Sequence, residues 1–98
     1  MRMLMTVEMD TEASNQAIKD GSLPKMMESA MGQLQPEAAY FTTHDGHRTA
    51  YIFLDLHEEA QMVKMAEPFF LGLNAKIDWS PVMNAEDLQE GLSRLSRR

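Results

Sequence analysis

Three histidines are the first residues in this chain with side chains suited to chemistry, and two of them bracket an Asp-Gly pair in the run His44-Asp45-Gly46-His47. Asp-Gly between strand-like segments favours a two-residue type I′ turn, which sets His44 opposite His47. Two imidazoles beside a carboxylate are a ligand set that several transition metals accept. The same residue types also suit a solvated hairpin tip, and two ligands without a third hold a metal weakly. His57 falls at the start of an expected helix, where a boundary role competes with that of a base. Tyr40, Tyr51 and Trp79 are candidates for a pocket that stacks a flat organic molecule, with a phenol or imidazole moving a proton. Against this, Tyr facing Tyr across a hairpin is a favourable structural pair, and a lone inward Trp is ordinary core. Glu8 shares a strand face with Thr6. If a second subunit covered it, its carboxylate would need a counter-charge or its pKa would rise, which is one route to a general base. The candidate ligand-pocket residues are therefore Trp79, Tyr40, Tyr51, His44 and His47.

Larger constellations are missing. No Ser-His-Asp or Cys-His set can be placed, no Gly-rich phosphate loop follows a strand, and neither HExxH nor EF-hand spacing occurs. The chain has no cysteine, so disulfides, a thiolate nucleophile and Cys-based zinc sites are excluded. Nothing in it calls for a cofactor or a resident metal. A net charge of -6 argues against nucleic acid, whose phosphates require clustered Lys and Arg. The one basic cluster, Arg94, Arg97 and Arg98, closes an expected terminal helix, where cations complement the macrodipole. No stretch approaches the roughly 18 apolar residues of a membrane helix. The opening MRMLMTVEM is too short and too interrupted by Glu8 for a signal peptide. A cytoplasmic protein without a membrane partner is expected, folded as one domain over residues 1–98.

The elements that must position these residues centre on Glu37 to Leu56. With Asp45-Gly46 as the turn, Thr42 faces Thr49, Tyr40 faces Tyr51 and Ala38 faces Phe53 on one side of the ribbon. Phe41 faces Ala50 and Ala39 faces Ile52 on the other. Before the hairpin, Met3 to Met9 alternates as a strand, Asp10 or Thr11 caps a helix, and Asp20-Gly21-Ser22 interrupts it. Leu23, Met26, Met27, Ala30, Met31 and Leu34 then form a helical stripe ending at Gln35-Pro36. After the hairpin, a helix is expected from Leu56-His57-Glu58-Glu59, with Ala60, Val63, Ala66, Met62 and Met65 inward. Pro68 should end or bend it, and Phe69 to Leu73 should form an elbow around Gly72. Lys76 to Val82 alternates as an edge strand carrying Pro81. Asn84 caps a last helix with a narrow stripe of Leu88, Leu92 and Leu95, and Met83 is placed to staple onto Leu88.

This order predicts an α+β, ferredoxin-like βαββαβ fold with a four-stranded antiparallel sheet plus an extra C-terminal helix. Strands one and three are expected side by side and parallel in the centre, with both helices on one face. Met5, Val7, Phe41, Ile52, Leu54, Ile77 and Trp79 should form the helix-covered core. Leu4, Thr6, Tyr40, Thr42, Tyr51 and Phe53 should occupy an opposite face that a second copy would cover. Ten methionines fit either a soft core or an adaptable pocket.

On the order of elements, on Pro68 followed by its apolar elbow, and on a last strand ending Trp79-Ser80-Pro81-Val82, the chain resembles the dimeric α/β-barrel superfamily. Within it, the chain is similar to the short proteins related to muconolactone isomerase and the antibiotic-biosynthesis monooxygenases. The resemblance implies a homodimer whose sheets pack face to face, with a small-molecule cleft in each subunit between sheet and helices. Three functional expectations follow. The first is a homodimeric module binding a small organic ligand. The second is a cofactor-independent isomerase or monooxygenase acting on a small aromatic or polyketide-like compound. The third is a haem- or metal-handling protein that uses histidine.

Overall fold

A computed structural model gives the structure, and residues 1–96 are described. The elements run β1 (Arg2–Glu8), α1 (Thr11–Lys19), α2 (Ser22–Leu34), β2 (Ala38–His44), β3 (His47–Asp55), α3 (Gln61–Leu73), β4 (Lys76–Pro81) and α4 (Ala85–Leu95). The four strands make one sheet in the order β2-β3-β1-β4 with every neighbouring pair antiparallel. This α+β arrangement is consistent with a ferredoxin-like fold carrying an extra helix. Parallel pairing of the first and third strands is therefore incorrect. The helical crossover makes β1 and β2 run the same way, and the hairpin then reverses β3, so β3 must oppose β1.

The hairpin has the expected register throughout, from Ala38 opposite Phe53 to His44 opposite His47. Asp45 at φ 51° and Gly46 at φ 78° supply the two positive dihedrals that a type I′ turn demands. Alternation along β1 then decides the core. Met3, Met5 and Val7 are buried with their β3 partners Leu54, Ile52 and Ala50, under Phe69 and Leu73 of α3 and Ala17 of α1. Fully burying one such aliphatic or aromatic side chain contributes about 1.5–3 kcal/mol. Ile77 and Trp79, opposite Val7 and Met5 on the edge strand β4, are half-buried against this core. Phe41 is the exception: its strand parity is right, but it remains 59% exposed, because the helices cover β3 and stop short of β2.

Gly21 at φ 81° separates α1 from α2, and Asp10 caps α1 by accepting from the Ala13 N–H at 2.9 Å. The α2 stripe lies half-buried on the core, with Leu34 fully buried. Over Gly72 of α3 there is room only for the tip of Met26, so the missing Cβ lets α2 and α3 meet closely.

Helix α3 departs from expectation at both ends. It begins at Gln61 after a tight turn in which the Gln61, Met62 and Val63 N–H groups donate to the Glu58, Glu59 and Ala60 carbonyls. The Gln61 side-chain oxygen also accepts from the His57 and Glu58 N–H groups. Ala60 and Val63 consequently face solvent. At the other end the helix runs through Pro68 to Leu73 and closes on Asn74 at φ 48°. Pro68 lies on the exposed side, and the inward stripe of Ala66, Phe69 and Leu73 holds the helix together across it.

β4 lies at the sheet edge, which is where Pro81 is tolerated. α4 has a capping box between Asn84 and Asp87 and carries no buried residue. Met83, Leu88, Leu92 and Leu95 are all exposed. Arg94 is in the last turn of α4, while Arg97 and Arg98 of the basic cluster lie outside the described residues. With this uncovered helix the molecule measures 59 × 27 × 18 Å. No helix among the described residues is long and apolar enough to cross a membrane.

Candidate functional site

The five candidate residues are distributed over different parts of the sheet. Trp79 stands on the helix-covered face opposite Met5, as part of the core rim. Tyr40 and Tyr51 face each other on the opposite, uncovered face. There Tyr40 meets Phe53 edge-on at 6.4 Å between ring centroids, a favourable aromatic geometry. Leu4 and Thr6 complete that face as partners of Phe53 and Tyr51.

His44 and His47 end the hairpin as opposed residues, but they take separate partners. His44 lies 3.3 Å from Asp45, and His47 Nδ1 lies 3.3 Å from the Glu8 carboxylate. The second contact is an ion-pair distance without hydrogen-bond alignment, and the Nδ1 atom is buried with no hydrogen-bond partner among the described residues. Glu8 is already 17% exposed in a single chain, because Thr49 pairs with it and His47 follows on the same face of β3. His57 is exposed beside Asp55 at 3.8 Å. Among the described residues no group of three or more His, Asp or Glu side chains is placed to hold a metal ion.

Three hollows differ in what they offer. The largest, about 590 Å³, is lined by Met1, Arg2, Glu37, Asp55 and Asp87 among others. Both cations in its lining are already paired: Arg2 with Glu37 and Asp87, the Glu37 contact raising the guanidinium pKa, and the Met1 ammonium with Asp55. A polar hollow of about 400 Å³ contains Glu8, Asp10, Asp45, His47 and Lys76. The third, about 340 Å³, lies between the start of α2 and the hairpin. Its lining is Met9, Leu23, Met27, Phe41, Thr42, Arg48 and Thr49. Size alone would favour the first, but an apolar wall with one convergent polar group is what retains an organic molecule, and the third has it.

This cleft exists for a local reason. α2 starts only after the Gly21 break and diverges from β2, so Leu23 and Met27 form one wall and the uncovered Phe41 ring the other. Arg48 enters from β3 on the helix-facing parity, two residues before the buried Ala50. Its Nη1 donates to the Ser14 hydroxyl at 2.6 Å and to the Asn15 side-chain oxygen at 2.9 Å. Sequence reasoning placed Leu23 and Met27 on the apolar stripe of a helix and Phe41 in the core, and passed over Arg48. The available signal was parity: Arg48, Ala50, Ile52 and Leu54 share one face, so a cation stands in an apolar row.

Compared with protein-family models, with curated proteins and with solved structures, the chain matches none, so its reading rests on its own geometry.

Proposed function

We propose that the chain is a homodimeric binding module for a small organic molecule, held in the cleft between α2 and the β2–β3 hairpin. The observation that carries this is the cleft itself: about 340 Å³ with Leu23, Met27, Met9 and Phe41 as apolar walls, within the size range small ligands use. Methionine walls adapt to flat or branched molecules, because the thioether is flexible and polarisable. Support for the dimer comes from the other side of the sheet. Leu4, Tyr40, Tyr51 and Phe53 form a continuous aromatic and aliphatic face that no helix among the described residues packs over, with Tyr40 exposed and the other three half-buried. A second copy related by a two-fold axis would cover such a face, and the resemblance to dimeric α/β barrels points the same way.

Methionine methyl resonances provide the test. Titration with naphthalene-2-methanol, a neutral flat probe, should move the Met9 and Met27 methyl signals and leave that of Met62 in place. No shift at Met9 and Met27 up to millimolar probe would refute the ligand site. Equilibrium sedimentation at micromolar concentration should return a dimer, and a monomer there would refute the pairing.

A second reading rests on the Glu8–His47 contact beside the polar hollow. A carboxylate against an imidazole is a proton-moving pair, as a cofactor-independent isomerase or monooxygenase acting on a small aromatic or polyketide-like compound would require. It predicts deuterium uptake from solvent into an enolisable aromatic ketone, abolished by His47→Gln.

A further inference from the structure

We propose that the ligand of this cleft is an organic carboxylate whose anionic end is recognised by Arg48; this deepens the binding-module reading and rests on it. Arg48 is half-buried, and no Asp or Glu oxygen lies within 4.0 Å of its guanidinium among the described residues. A chain with fifteen acidic side chains against nine basic ones has carboxylates to spare, yet among the described residues this cation has only neutral partners. The other arginine on the sheet, Arg2, is paired with two carboxylates. An unpaired lysine in water needs no explanation, but a charge withdrawn from water without a counter-charge is costly.

The guanidinium is also positioned. The Ser14 hydroxyl that accepts from Nη1 is fully buried and itself donates to the Thr11 carbonyl at 3.3 Å, so the group is fixed to the first turn of α1. Only Nη1 is engaged. Nε and Nη2 make no hydrogen bond among the described residues, and these two nitrogens form the edge of the guanidinium that binds a carboxylate bidentately. Arg48 shares the cleft lining with Phe41, Met27, Leu23 and Met9, and with Thr42 and Thr49. The combination selects a molecule with an apolar body and one carboxylate end, and it disfavours phosphates or sugars, whose polar surface would meet the methionines and phenyl ring without partners.

The experiment compares naphthalene-2-carboxylate with naphthalene-2-methanol, which share a body and differ in charge, on the intact protein at pH 7 with Met27 and Met9 methyl shifts as readout. The carboxylate should bind at least tenfold tighter than the alcohol, and Arg48→Gln and Arg48→Lys should each erase most of that advantage. Added salt should weaken the carboxylate alone. If the two probes bind equally in the unmodified protein, the carboxylate assignment falls while the apolar cleft stands. If neither moves the methyl signals, the cleft reading falls and takes this inference with it. The probe comparison needs no variant, so a misfolded Arg48→Gln would not leave the question open.

Discussion

Phe41 and Ala50 are direct partners across the β2–β3 ladder, yet Ala50 is fully buried and Phe41 is 59% exposed. The boundary of helix cover therefore passes between two hydrogen-bonded strands. On one side of it lies the core, and on the other a cleft walled by a phenyl ring.

Substitutions on the two sides should part accordingly. Ile52→Ala, at a site with no exposure, should cost about 2–5 kcal/mol in urea unfolding, the range for emptying a core position. Phe41→Ala should cost less than about 1 kcal/mol, as an exposed site does, but should reduce naphthalene-2-methanol binding several-fold. A large stability loss at Phe41 would show that the ring is core after all.

Gly46 tests the hairpin. Its φ of 78° belongs to the left-handed region, and an added Cβ would meet open space, so any penalty is in the backbone alone. Gly46→Val should lower stability by about 1–3 kcal/mol, seen as an earlier urea midpoint with unchanged slope. A neutral result would mean that the turn relaxes to another type without disturbing the register of Tyr40 and Tyr51.

The Asp45-Gly46 turn was also the most legible part of the sequence. Turn chemistry fixed which residue faces which, and a period of two then sorted each strand's side chains onto faces. Strand direction was misjudged for β1 and β3 although it follows from connectivity. Pro68 does not end α3 as its rank as a breaker suggests, because the buried stripe of Ala66, Phe69 and Leu73 is a tertiary effect that outweighs local propensity. The cleft was invisible for a different reason. Periodicity says which face a residue is on, but not how far a helix extends over that face, so Phe41 read as core and Arg48 went unremarked.

Acid should weaken one surface contact in a defined direction. The Met1 ammonium donates to Asp55 at 2.8 Å, and this hydrogen bond holds the Asp55 pKa below the usual carboxylate value. A depressed folded-state pKa means stability that is complete above the ordinary carboxylate range and lost as pH falls through the folded value. The melting temperature of the unmodified chain should therefore fall more than that of Asp55→Asn between about pH 5 and pH 2. Both groups are exposed, so the difference should be small and should shrink in 1 M salt. Parallel acid profiles for the two proteins would contradict the pairing.

The last helix should behave as a separate unit. Asn84 accepts from the Asp87 N–H at 2.8 Å, and the Asp87 carboxylate accepts from the Asn84 N–H at 3.1 Å, so two otherwise orphaned donors are satisfied at the start of α4. Removing such a cap costs about 1 kcal/mol. In α4 that loss has nowhere to spread, because the helix buries no residue of its own. Asn84→Ala should speed amide exchange from Leu88 onward by about fivefold, leaving β1 and β3 amides and the thermal midpoint unchanged. If the midpoint instead drops by several degrees, the Leu88, Leu92 and Leu95 stripe is packed against a second copy, and the cap is then holding an interface.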